Sequence, residues 1–158
     1  GVFDPGLHKL VNQDAAAVEE DMAAALALLR AVNPELRVLL TVSPVPLTAT
    51  AVPGAHALSA NSFTKAVLRA AAGSLAEAHD WTDYFPSYEL LTAPAFGGVF
   101  FEPNKRTVAA QGVAFVMQHF FSCFGVRGEG GAADGAAAEA LADGELVCEE
   151  MILDYYRD

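Results

Sequence analysis

Hydrophobic positions at helical spacing mark the first element of the chain. Val18, Met22, Leu26 and Leu29 recur at helical spacing, as one buried face of an α-helix requires. Asp14, a preferred capping residue, precedes this stretch. Asn33-Pro34 ends it, because the residue before a proline avoids the helical conformation. The pattern therefore predicts a helix between these two signals.

The pattern changes at residues 37–43, which form an apolar run without polar alternation. Such a run predicts a strand that is buried on both faces. Pro44 and Pro46 end the strand because proline cannot donate to a sheet ladder. A second strand is predicted at residues 82–85, where Pro86 stops it.

Three further helices follow from spacing and capping residues. One begins at Asn61 or Ser62 and reaches about residue 79, a short one covers residues 88–91, and Thr107 caps the last at 108–121. In the first of these, four apolar residues form the buried stripe and three charged residues are expected in solvent: Phe63, Val67, Ala71 and Leu75 against Lys65, Arg69 and Glu77.

This order of elements predicts an α/β domain with parallel strands in a three-layer, flavodoxin-like arrangement. Two strands are fewer than the four to six of an ordinary sheet. Further strands lie in the loops, or a protein partner or a missing N-terminal segment completes the sheet, and we favour the second. The predicted domain covers residues 1–124, a Gly/Ala linker 125–144, and a short helix 145–158.

Charge and composition exclude several partners. Twenty acidic against nine basic residues give a net charge of −11, which argues against nucleic acids and anionic membranes. No run is long enough for a membrane helix, and no signal peptide is visible. The start without Met suggests a processed or partial chain. Two cysteines without CxxC spacing favour a reducing compartment. No nucleotide cofactor or metal is indicated.

Six stretches together resemble one protein family. They are TVSPVPL (41–47), NSFTKAVLR (61–69), DYFPSYE (83–89), FFEPNKR (100–106), GVAFVMQHF (112–120) and CEE (148–150). This set resembles the C-terminal half of the GSCFA-domain family, which is considered related to SGNH/GDSL-type esterases. The resemblance implies an SGNH-hydrolase-like fold that is incomplete at its N-terminal side.

Two departures bear on activity. The family's N-terminal Gly-Ser-Cys-Phe-Ala motif, with its presumptive nucleophile, does not occur before Gly1. SGNH hydrolases also place a DxxH motif before the last helix, where the histidine activates the serine. Here Pro103 and Arg106 occupy that spacing, and arginine cannot act as a base at neutral pH. The resemblance thus implies that the usual triad cannot operate.

Three residues are candidates for catalysis if the usual triad is absent: His56, Glu102 and Arg106. His56 follows the first strand and could replace the missing base, or it is an exposed loop histidine. Glu102 and Arg106 cluster with Lys105 beside a predicted helix N-terminus. They form either an anion-binding site or ordinary loop charges.

Four further residues are candidates for ligand binding. Tyr88 and Glu89 could line a cleft for a polyol or a sugar, or they hold the loop through hydrogen bonds. Asn61 is most simply a cap. Ser43 ends a strand, although no G-x-S-x-G elbow surrounds it.

Two functions follow from these observations. The first is a non-catalytic or degenerate GSCFA-like domain that serves as an accessory or interaction subunit. The alternative is part of an SGNH-like esterase or acyl-transfer enzyme that acts on acylated glycans or small esters. The missing nucleophile and Arg106 favour the first function for this chain, whereas the resemblance favours the second for the family.

Overall fold

The protein has a mixed α/β fold with a small parallel sheet. The computed structural model describes Asp4 and residues 6–124. The chain divides into two compact units, Gly1–Val108 and Ala109–Asp158. The elements are α1 (Ala15–Val32), β1 (Val38–Leu40), α2 (Ala57–Ala78), β2 (Thr82–Tyr84), α3 (Ser87–Thr92), a 3-10 helix (Pro94–Phe96) and α4 (Ala110–Phe124).

The first helix matches the prediction at both ends. Asp14 caps α1, because its side chain accepts a hydrogen bond from Ala17 N at 2.9 Å. At the other end, Asn33 is the C-cap and its N–H donates to Leu29 O. Leu26 is buried in α1, and the helix packs on α2. The expectation that Leu29 belongs to the same buried face is wrong, since Leu29 is 53% exposed.

The two strands pair in parallel, as predicted. Val38 lies beside Thr82, and Leu40 beside Tyr84. The expectation that residues 37–43 are buried on both faces is wrong, since Leu39 is 36% exposed. On the same face Arg37 pairs with Asp83 at 3.3 Å. Because alternate residues of a strand face opposite sides, one face is more buried than the other.

The second helix begins earlier than predicted. Its N-cap is His56, whose ring accepts a hydrogen bond from Leu58 N, so Asn61 and Ser62 lie within α2. Two residues expected in solvent are not there. Lys65 is only 7% exposed, and Arg69 is half-buried.

A compact apolar core joins these elements within the first unit. Its members come from α1 and α2, from the residues that follow the two strands, and from α3. They are Leu26, Val42, Val67, Ala71, Ala72, Leu75, Phe85 and Leu91.

The segment between α3 and α4 contains short elements of regular structure. A 3-10 helix is followed by an antiparallel bridge between Phe101 and Val108. Lys105 takes a left-handed conformation, with φ of 59°, at the turn between them. Thr107 lies in this turn region instead of capping a helix, because α4 begins only at Ala110.

The second unit is described only as far as α4. His119 Nδ1 donates a hydrogen bond to Phe115 O at 2.8 Å, and the centroids of the two rings lie 4.4 Å apart. The predicted linker at 125–144 and the predicted helix at 145–158 lie outside the described residues. Among the described helices, none combines the length and the apolar character needed to cross a membrane.

Candidate functional site

Hydroxyl groups join the carboxyl ends of the two strands. Thr41 Oγ1 donates to Phe85 O at 2.9 Å and shares a short hydrogen bond with Ser87 Oγ. Ser87 Oγ also lies 3.2 Å from Val42 O, to which it can donate. Ligands of open α/β sheets bind outside the carboxyl ends of strands, so these contacts define the candidate site.

Two of the sequence candidates hold the loop that follows β1. Ser43 Oγ accepts a hydrogen bond from Val45 N at 3.2 Å, which turns the chain. Asn61 Oδ1 accepts from Leu47 N at 3.0 Å. Asn61 therefore fixes the loop to α2 and does not cap the helix.

Arg106 holds the same loop from a third segment. Its Nη1 donates to the carbonyl oxygen of Pro46, sixty residues away in sequence. The side chain is half-buried. Arg106 thus lies near Ser43 and Asn61 and fixes loop position through a backbone carbonyl.

The three-residue spacing of the DxxH motif fits Pro103 and Arg106, and it also fits Asn104 and Thr107, one residue further along the chain. Asn104 Nδ2 donates a hydrogen bond to Thr107 Oγ1 at 2.8 Å. Pro103, in contrast, has no polar side-chain atom that could orient Arg106. Asn104 Oδ1 accepts from the N–H groups of Arg106 and Thr107, both at 2.9 Å. The side chains in contact at this spacing are therefore an amide and a hydroxyl.

Glu102 and Lys105 lie on the turn of the same segment. Lys105 N donates to Glu102 O at 2.8 Å, and Glu102 N donates to Thr107 O at 2.8 Å. Both side chains are exposed and have no hydrogen-bond partner among the described residues. Their binding of an anion stays a prediction.

His56 has its accepting ring nitrogen occupied. Leu58 N donates to His56 Nδ1 at 3.2 Å, so in the neutral ring the proton lies on Nε2. To take up a proton at Nδ1, the ring would have to release the N-cap of α2. His56 is exposed, and its role as a base stays a prediction.

Glu89 belongs to a different cluster, on α3. Arg69 Nε donates to Glu89 Oε1 at 2.7 Å, and Tyr84 OH donates to Glu89 Oε2 at 2.9 Å. The Arg69 guanidinium also lies over the Tyr84 ring, 4.0 Å from its centroid. Tyr88, which precedes Glu89 in the sequence, is half-buried, and its backbone carbonyl accepts a hydrogen bond from Thr92 Oγ1.

The surroundings of Tyr84 favour its neutral form. Burial raises the pKa of the Tyr84 hydroxyl, and the hydrogen bond to Glu89 and its negative charge raise that pKa further. Arg69 acts in the opposite direction. The cluster therefore holds Tyr84 as a hydrogen-bond donor and does not prepare it as a nucleophile.

The structure thus brings Ser43, Asn61 and Arg106 to one loop, and it leaves His56 and Glu89 in separate environments. Sequence reasoning missed Thr41 and Asn104. The three-residue spacing from Asn104 to Thr107, the same as in the DxxH motif, was the available signal for Asn104. Among the described residues, no group of three or more His, Cys, Asp or Glu could hold a metal ion.

The fold and this site define an α/β protein whose loops are fixed at the carboxyl edge of a parallel sheet. The sequence pattern of the GSCFA family matches residues 4–120. The chain therefore belongs to the GSCFA family. No curated protein and no solved structure matches it.

Proposed function

We propose that this chain is a non-catalytic GSCFA domain that acts as an interaction subunit. The observation that carries the proposal is the hydrogen bond between Asn104 and Thr107 at the acid–histidine spacing. A general base must take up a proton near neutral pH. A carboxamide and a hydroxyl do not do so, and Arg106 at the alternative spacing is engaged with Pro46 O.

The proposal includes a three-layer, SGNH-like fold in which further strands extend the two-stranded sheet. Parallel sheets are usually covered on both faces. Leu39 supports this part of the proposal, because it is an apolar strand residue with 36% of its surface exposed. Another segment or another chain would cover it.

An apolar row on α1 supports the interaction role. Leu28 and Val32, four residues apart on one helix face, are 72% and 87% exposed. Leu29 beside them is 53% exposed. Contiguous exposed apolar side chains are typical of surfaces that contact a partner.

The claim that the chain is not catalytic is tested with a fluorophosphonate probe and with 4-nitrophenyl acetate on the natural full-length protein. We expect no covalent labelling of a serine, because no base activates one. We also expect ester hydrolysis equal to that of the His56→Ala variant. Labelling that disappears in His56→Ala would contradict the proposal and identify His56 as the base.

The claim that the chain acts as an interaction subunit is tested by the oligomeric mass of the natural protein, measured by light scattering after size-exclusion chromatography. We expect a complex larger than the single chain, which Val32→Glu dissociates because a carboxylate is costly to bury. Ala16→Glu, at an exposed position of the same helix, is the control for charge. A native protein that elutes as a single chain would refute an interaction role.

The second candidate function is acyl transfer, as part of an SGNH-like esterase for small esters or acylated glycans. It is favoured by the hydroxyls of Thr41, Ser43 and Ser87, which lie after the carboxyl ends of the strands. The nucleophile or the base would then come from outside the described residues. Serine labelling that survives in His56→Ala would favour this function.

A further inference from the structure

A cavity of about 390 Å³ lies between α2 and residues 47–55. Residues 10 and 12 contribute to its wall from the segment before α1. Its size is at the lower end of the range for small-molecule sites. Leu47 of the candidate-site loop lines this cavity, whereas Ser43, Asn61 and Arg106 do not.

The loop around the cavity runs from β1 to the start of α2 and is fixed at two points. At one end Asn61 Oδ1 accepts from Leu47 N at 3.0 Å. At the other, Ala55 N donates to Val52 O at 3.2 Å, and Gly54 takes a φ of 71° that other residues rarely adopt. Alanines along the loop fill little of the space between these points, which keeps the cavity open.

Large apolar side chains around the cavity are exposed. Leu10, Leu47 and Phe63 are 49%, 39% and 44% exposed. Phe63 belongs by its spacing to the buried stripe of α2, so its exposure is a departure from the helical pattern. A molecule in the cavity would cover these surfaces, and removing apolar area from water favours its binding.

The lining carries no charge among the described residues, although the chain has 20 acidic and 9 basic residues. Burying a charged ligand group against such a wall costs free energy that no opposite charge offsets. The wall of the cavity therefore offers no charged side chain that could pair with an ionic ligand.

Two hydroxyls on α2 are available to a ligand. Ser59 and Thr64 line the cavity, and neither side chain has a hydrogen-bond partner among the described residues. By contrast, Thr92 Oγ1 donates to the carbonyl four residues earlier at 2.7 Å, as helical threonines commonly do. Thr64 is also half-buried, and its hydroxyl could donate a hydrogen bond to a polar group of a ligand.

We propose that this cavity binds an uncharged small molecule with an apolar body and a hydrogen-bonding group that contacts Thr64. The apolar side chains supply the contact area, and the absence of charge in the wall sets the selectivity. This binding is independent of whether the chain is catalytic, so it goes beyond the function proposed above.

The test compares two fluorescent probes that differ by one charged group. N-phenyl-1-naphthylamine is uncharged, and 1-anilinonaphthalene-8-sulfonate is the same aryl amine with a sulfonate. We expect the full chain to bind the uncharged probe saturably at one site. The sulfonate should bind at least tenfold more weakly, because its charge enters a neutral wall.

Variants locate the site. Ala60→Phe, inside the cavity, should lower affinity for the uncharged probe at least tenfold, whereas Ala66→Phe, at an exposed position of the same helix, should not. Thr64→Val keeps the shape and should weaken binding roughly two- to tenfold.

Three results would overturn the proposal. These are no saturable binding of the uncharged probe, equal affinity for the two probes, or equal affinity in Ala60→Phe and Ala66→Phe. Circular dichroism checks that Ala60→Phe is folded. If it is not, Thr64→Val decides, and unchanged affinity in that variant rejects the assignment.

Discussion

Replacing Leu26 with alanine is expected to lower the free energy of unfolding by about 2–5 kcal/mol. Leu26 is 2% exposed, and it is buried where α1 packs on α2. Removing its side chain would leave a cavity that the two helices cannot fill without moving. Urea unfolding followed by Trp81 fluorescence measures the loss, because Trp81 is the only tryptophan and stacks on His79 at 4.7 Å.

The same substitution at Leu28 is the matched control. Leu28 lies on the same helix but is 72% exposed, so Leu28→Ala should change the free energy of unfolding by less than about 0.5 kcal/mol. The two variants have the same loss of helix-forming and apolar character. Equal destabilisation by both would mean that the buried face of α1 is not the one that carries Leu26.

Local patterns were sufficient for the first helix and for the two strands. Asp14 and Asn33 are strong signals because they act on backbone groups within a few residues. The same logic failed for α2, since histidine is not among the preferred capping residues and Asn61 is. The side chain of Asn61 instead binds Leu47 N, fourteen residues earlier.

Burial was harder to predict because it depends on what packs against an element. Helical spacing predicts on which side of α2 Lys65 lies. It does not predict that other residues cover this side and leave Lys65 only 7% exposed. An apolar run without alternating polar residues likewise does not show which face of the strand is exposed, so it could not predict that Leu39 remains partly exposed. Both errors concern tertiary neighbours and not secondary structure.

The candidate site was only partly predictable for the same reason. The contacts of Thr41 with Ser87 and of Arg106 with Pro46 span 46 and 60 residues. No local pattern specifies them. The match over residues 4–120 confirms the family to which the motifs pointed, whereas the assignment of site residues stays a prediction.

Replacing Glu89 with alanine is expected to lower the free energy of unfolding by about 1–3 kcal/mol. Glu89 accepts hydrogen bonds from Arg69 at 2.7 Å and from Tyr84 OH at 2.9 Å. Hydrogen bonds to a charged group are worth more than neutral ones, but the two ionic side chains are 43% and 40% exposed, so water replaces part of the loss. Urea unfolding at pH 7 measures the effect.

A double-mutant cycle with Tyr84→Phe separates this contact from general effects of the substitution. If Glu89 binds both partners, its removal should cost less after Tyr84 has lost its hydroxyl. Tyr84 should also ionise at lower pH in Glu89→Ala, because the carboxylate contributes to the raised pKa of Tyr84. Glu77→Ala, at an exposed position of α2, should change neither quantity. Strict additivity of the Glu89 and Tyr84 variants would show that α3 is not held to β2 through this carboxylate.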